Sequence, residues 1–160
     1  MKKVLVIIAA VIIASCTAKE QTISTQVRNE IEQLCYKADS LYSTRNNPMA
    51  TQYVMGINLT DMKIETTFMQ IGEKYLNGLG YHDFKFDAAV RNTVAIIGET
   101  IYKIQRGSGD KADVKIINGL VESFKAIYCA QLYADGRYEE LAGIDKNYKK
   151  NQDKLRAEIL

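Results

Sequence analysis

The stretch that decides the fold is FDAAVRNTVAIIGETIYKIQ, residues 86–105. Its large apolar residues recur at steps of three and four, the spacing that puts side chains on one face of an α-helix. Charged residues such as Arg91 and Glu99 fall outside that face. We therefore predict an amphipathic helix here, followed by a break at residues 107–109, where two of three residues are glycine. The predicted core positions are Val90, Val94, Ile97, Ile101 and Ile104.

Helical patterns also lie on both sides of this stretch. Residues 22–45 repeat apolar side chains at the same spacing and stop before Pro48, which cannot donate a backbone hydrogen bond. Residues 110–134 carry two neighbouring apolar stripes, and such a wide apolar face predicts a central helix. After Asp135-Gly136, a sparser pattern predicts one peripheral helix. The predicted core positions of the first helix are Ile23, Val27, Ile31, Leu34, Ala38 and Leu41.

Residues 49–79 have a less regular pattern. Their apolar spacing is helical, but Asn58-Leu59-Thr60 interrupts it, and the β-branched run at residues 64–67 would suit a strand equally well. We predict a helix, because no second strand-like segment lies nearby and a single strand would leave its backbone groups unpaired. Gly78 and Gly80 mark the predicted end of this helix.

Composition supports one helical domain. The chain contains one proline, no tryptophan and ten tyrosines, and it is rich in helix formers. We predict an all-α fold, a compact bundle of four to five antiparallel helices over residues 22–160. A domain of this size buries enough surface to fold without a metal or a ligand.

The first 15 residues predict a cleaved signal peptide. Lysines at positions 2 and 3 precede an apolar run that is shorter than the roughly 20 residues needed to cross a bilayer. The run ends in Ile13-Ala14-Ser15-Cys16, which resembles the lipobox of bacterial lipoprotein precursors. That resemblance implies cleavage before Cys16, attachment of lipid to Cys16, and a tether formed by residues 16–21.

The resemblance also implies a location in the cell envelope. Position 17 is Thr17, whereas an aspartate there retains lipoproteins in the inner membrane, so we expect the outer membrane, on its periplasmic side. Cleavage before Cys16 would remove the two lysines at positions 2 and 3. The mature chain would then have as many basic as acidic residues, 19 of each, and no net charge. A neutral surface lacks the basic face that nucleic acid requires. The expected partners are therefore the membrane, through the lipid, and other envelope proteins.

Few residues could support catalysis or hold a metal. The only histidine is His82, and with Asp83 and Asp87 it would offer a zinc ion a single nitrogen ligand. We expect no enzymatic activity, no cofactor and no metal. Cys35 and Cys129 lie in the predicted first and fourth helices. They could pair as a disulfide in the oxidising periplasm or remain two buried thiols, and both alternatives stay open.

A short tether keeps the domain close to its membrane, which suits a non-catalytic accessory subunit of an envelope protein complex. In size and layout the chain resembles the small lipoprotein subunit of the Bacteroidetes-type type VI secretion envelope complex. One alternative is an immunity or inhibitor lipoprotein that binds a toxin in the periplasm. A second alternative is a helical lipoprotein that holds a small ligand in an apolar cavity between helices. Poor packing around Gly98 and Gly119 would support it, although glycines within helices can equally allow close helix contact.

Overall fold

The computed structural model describes residues 23–107 and 111–159, so the predicted signal peptide, Cys16 and the tether lie outside the described residues. The described chain is all-α apart from one short hairpin, as predicted. No helix within these residues is long and apolar enough to span a bilayer. In chain order the elements are α1 (Thr25–Arg45), β1 (Tyr53–Val54), β2 (Ile57–Asn58), α2 (Leu59–Gly78), α3 (Ala88–Gln105), α4 (Lys111–Ala134), α5 (Tyr138–Ile144) and α6 (Tyr148–Ile159).

Helix α3 is the centre of the bundle. It packs against α2 and α4 and also touches α1. All five of its predicted core residues are buried, which confirms the pattern that decided the fold. The helix begins at Ala88, because the carboxylate of Asp87 accepts a hydrogen bond from the backbone N–H of Val90 at 2.8 Å and caps the amino end.

Helices α2 and α3 approach each other closely at two glycines. A Cβ atom on Gly98 would overlap the carbonyl oxygen of Phe68, and one on Gly72 would overlap the carbonyl oxygen of Val94. The backbone of α2 therefore packs tightly against Gly98, so this glycine allows close contact between the two helices. Gly119 in α4 differs, because a Cβ atom there would meet nothing within 4 Å.

Helix α1 packs antiparallel on α2. Ile23, just before the amino end of α1, lies against Gly78 at the carboxyl end of α2. At the other end, Arg45 forms a 2.7 Å ion pair with Asp61 in the first turn of α2. The helix starts at Thr25 rather than at residue 22, because the Ser24 side chain accepts from a backbone N–H and serves as the cap.

The helix predicted over residues 49–79 is wrong in its first part and correct from Leu59 onward. The side chain of Asn58 accepts from the backbone N–H of Thr60 at 2.9 Å, so the residue that seemed to interrupt a helix is the cap that starts one. A hairpin formed by β1 and β2 precedes the cap. The strand alternative for residues 64–67 is also wrong, because these residues lie inside α2.

The end of the chain forms two helices where one was predicted. Asp145 has an extended backbone, with φ −142°, and separates α5 from α6. Both helices are peripheral, as expected. Helix α4 is less central than its two apolar stripes predicted: Phe124 and Tyr128 are buried, but Ile116 is 49% exposed. The second stripe therefore faces solvent at its start.

Cys35 and Cys129 are both buried, and the structure holds them as free thiols without a disulfide. Cys35 lies on α1, which packs on α2, whereas Cys129 lies on α4, which packs on α3. Burial is the main cause of the raised pKa of both thiols. Among charged side chains, Arg106 has the largest effect on the pKa of Cys35 and Asp145 has the largest effect on that of Cys129. The structure thus favours the alternative of two buried thiols.

Candidate functional site

An exposed apolar surface covers the segment between α1 and α2 and the first turn of α2, and we call it the hairpin surface. Its six large side chains are all at least half exposed to solvent, and Met49 and Met55 are 97% and 98% exposed. Clustered exposure of this kind marks contact sites for other molecules more often than solvated surface. The hairpin surface comprises Met49, Tyr53, Val54, Met55, Ile57 and Met62.

The hairpin surface lacks charge. Residues 46–60 contain no acidic or basic side chain, and the two charged residues that flank the segment, Arg45 and Asp61, pair with each other. The central parts of protein–protein interfaces are depleted in charged residues and enriched in methionine and tyrosine. The composition of this segment therefore resembles an interface core more than an ordinary loop.

Met55 occupies an unfavourable backbone conformation at the tip of the hairpin. Met55 and Gly56 link the strands with φ values of 51° and 79°, the positive values that define a type I′ turn. Glycine adopts such values freely and asparagine tolerates them, but a residue such as methionine is strained there by about 1 kcal/mol. The Met55 side chain is 98% exposed and packs little against the described residues, so it does little to offset that cost.

Hydrogen bonds hold the segment in a defined shape. The backbone N–H of Met49 donates to the side-chain oxygen of Asn47 at 3.1 Å, and the Thr51 hydroxyl donates to the Asn47 carbonyl at 3.0 Å. The backbone N–H of Leu59 donates to the carbonyl of Gln52 at 3.0 Å and closes the base of the hairpin. A partner would therefore meet a preformed surface, which lowers the entropic cost of binding.

The hairpin surface and Ile23, the first described residue, lie at opposite ends of α1. The chain enters α1 beside Ile23 and leaves it at Arg45, just before the hairpin. A helix rises 1.5 Å per residue, so the 21 residues of α1 separate the two ends by about 30 Å. Ile23, where the described chain begins, thus lies far from the hairpin along this axis.

A polar cluster centred on Asp39 fastens α1 to the end of α3. One carboxylate oxygen accepts from the Tyr102 hydroxyl and the other from Nε of Arg106, both at 2.8 Å. The Arg106 guanidinium also lies 4.8 Å from the ring centre of Tyr36. Burial and the hydrogen bond to Asp39 raise the pKa of Tyr102 to about 12. Through these hydrogen bonds, both Asp39 oxygens link α1 to the carboxyl end of α3.

His82 is exposed in the loop between α2 and α3, and its backbone carbonyl accepts from the Tyr128 hydroxyl at 2.8 Å. Across residues 23–107 and 111–159, no three histidine, cysteine or acidic side chains are arranged to hold a metal ion. Asp87 instead caps α3. The polar groups of this loop thus hold it against α4 and start α3.

We expect both thiols to be unreactive in the folded protein and available after unfolding. Burial raises the pKa of Cys35 to about 12 and also raises that of Cys129, and the thiolate is the reactive form. A Cys16→Ala variant without reductant should show almost no reaction with Ellman's reagent when folded and two thiols per chain in denaturant. A chain that shows no thiol in denaturant would instead contain the Cys35–Cys129 disulfide.

The hairpin surface was missed by sequence patterns, which predicted helix across it. The available signals were the Met55-Gly56 pair between apolar residues and the absence of charge over residues 46–60. Both are weak, because methionine is not a typical residue of tight turns. Comparisons with protein-family models, curated proteins and solved structures found no match to this chain.

Proposed function

We propose that this chain is a membrane-anchored lipoprotein that acts as a non-catalytic accessory subunit of an envelope protein complex. The observation that carries the proposal is the hairpin surface, an uncharged and preformed apolar element with Met55 exposed in a strained turn. The anchor is supported by the lipobox-like sequence Ile13-Ala14-Ser15-Cys16.

The hairpin surface suits a protein partner better than the anchoring membrane. A lipid on Cys16 would hold the amino end of α1 near the bilayer, and the hairpin follows the opposite end of this helix. Loops that insert into membranes commonly combine apolar side chains with basic ones that meet lipid headgroups. No lysine or arginine occurs between Arg45 and Lys63. The hairpin surface is therefore better suited to bind an apolar face of another protein than to insert into the membrane.

The two alternative functions have less support. Immunity lipoproteins usually present a concentrated charged patch to their toxin, whereas the hairpin surface is uncharged. Poor packing around Gly98 would have supported a small-ligand carrier, but this glycine packs closely against the backbone at Phe68. A type VI secretion envelope complex is one candidate for the assembly, and the identity of the co-purifying proteins would decide that point.

Replacing Met55 by asparagine is expected to weaken partner binding while leaving the fold intact. Asparagine adopts positive φ more easily than methionine, so the type I′ turn should be at least as stable. The apolar side chain at the tip is lost. Tagged wild-type and M55N proteins would be recovered from native cells in mild detergent, and we expect M55N to retain about tenfold less of the co-purifying envelope proteins.

The matched control is Ile116→Asn, which removes a half-exposed apolar side chain from α4, outside the hairpin surface. We expect this variant to recover the same proteins as the wild type. Equal recovery by M55N would contradict the role of the hairpin. Recovery of a single soluble toxin, with no envelope proteins, would favour the immunity hypothesis instead.

A further inference from the structure

A groove of about 430 Å³ lies between α2 and α3. Its α2 wall consists of Asp61, Ile64, Glu65 and Phe68, which are spaced at i, i+3, i+4 and i+7. This spacing places them on one face of α2 over two helical turns. The wall begins in the first turn of α2, next to the hairpin surface.

The α3 wall repeats the same spacing with Asn92, Ala95, Ile96 and Glu99. These positions form a second face of α3, beside the one that is buried in the core. Ile96 is 45% exposed, so the described chain leaves a large apolar side chain of this wall uncovered. Ile64 and Phe68 are 6% and 7% exposed and form the apolar floor of the groove, so Ile96 is its exposed apolar anchor.

The groove is acidic at its edges. Its lining contains the carboxylates of Asp61, Glu65 and Glu99 and no basic residue. Asp61 pairs with Arg45, and Glu99 pairs with Lys103, but the side chains of both pairs are roughly half exposed. Exposed ion pairs contribute little to stability, so the carboxylates can exchange these partners for new ones at low cost.

We infer that this groove docks a basic amphipathic helix of the partner protein, an inference that rests on the accessory role proposed above. A helix laid against two helices contacts them through apolar anchors spaced at i, i+3, i+4 and i+7. Lysine or arginine beside those anchors would meet the three carboxylates. The groove is open along its side, whereas sites for small molecules enclose most of the ligand surface.

The inference is tested with two defined peptides and the purified full chain in mild detergent. Each peptide has about 16 residues with leucines on one helical face, and its flanking positions are lysine in one peptide and glutamate in the other. Binding is measured by fluorescence anisotropy of the labelled peptide. We expect the lysine peptide to bind at least about tenfold more tightly than the glutamate peptide.

Matched variants locate the site. Ile96→Glu should weaken binding of the lysine peptide by about tenfold or more, and Ile116→Glu, at a similarly exposed position on α4, should leave it unchanged. Equal binding of both peptides, binding of neither, or no effect of I96E would overturn the inference. So would self-association of the chain that I96E abolishes, because a second copy would then occupy the groove. A negative peptide experiment would contradict the groove inference and leave the co-purification result with M55N unaffected. The failure of the groove inference can therefore be distinguished from the failure of the proposed function.

Discussion

Substitution of Gly98 by alanine is expected to lower the free energy of unfolding by about 3 kcal/mol. The added Cβ would overlap the Phe68 carbonyl oxygen and would also approach the backbone nitrogen of Gly72 at 2.9 Å. Backbone atoms cannot rotate away as a flexible side chain can, so α2 and α3 must separate. That separation loosens the packing around the buried face of α3, which lies at the centre of the bundle.

Gly119→Ala is the matched control, since Gly119 is also a glycine inside a helix but its Cβ would meet nothing within 4 Å. Alanine at such a position removes backbone freedom from the unfolded chain and should stabilise the protein by roughly 0.5–1 kcal/mol. The measurement is chemical denaturation of both variants beside the wild type. Similar stabilities of G98A and G119A would contradict the close contact between α2 and α3.

Substitution of Cys16 by alanine is expected to move the protein almost entirely from the membrane fraction to the soluble fraction. Each buried lipid methylene contributes about 0.8 kcal/mol to membrane binding, and a lipoprotein anchor carries several acyl chains. The described residues contain no helix that could span a bilayer in place of the lipid. Without the thiol at position 16, no thioether can form.

Fractionation of cells, partitioning into detergent and the intact mass of the mature chain would measure this effect. The wild type should carry the added mass of acyl chains on a chain that begins at Cys16. Cys129→Ala is the control, because that thiol is buried in the domain and should have no part in anchoring. Membrane association of the Cys16→Ala variant at wild-type levels would exclude the lipid as the anchor.

Periodicity predicts the helices well where one face is apolar over several turns. The core face of α3 follows directly from residues 86–105, and the buried Ile31 and Ala38 of α1 follow from the same spacing. Helix ends were less certain, because they depend on capping side chains. Asp87 and Asn58 both cap a helix, and only local hydrogen bonds distinguish a cap from an interior polar residue.

The hairpin and the contacts between helices depend on information that local patterns do not contain. Strands of two residues are too short to show alternation, so β1 and β2 left no strand signal. Asp39 and Arg106 are 67 positions apart in sequence, and their pairing follows from how α1 crosses α3. Gly98 could be identified as a helix glycine, but its contact with α2 required the position of α2.

Photocrosslinking from position 55 in native cells tests the proposed role of the hairpin surface most directly. A photoreactive amino acid replaces Met55 in one variant and Ile116, on α4, in another, and covalent adducts are identified by mass spectrometry. We predict adducts with one or a few envelope proteins from position 55 and none of these from position 116. Absence of adducts from position 55, or the same adducts from both positions, would contradict the proposal that this surface binds the partner.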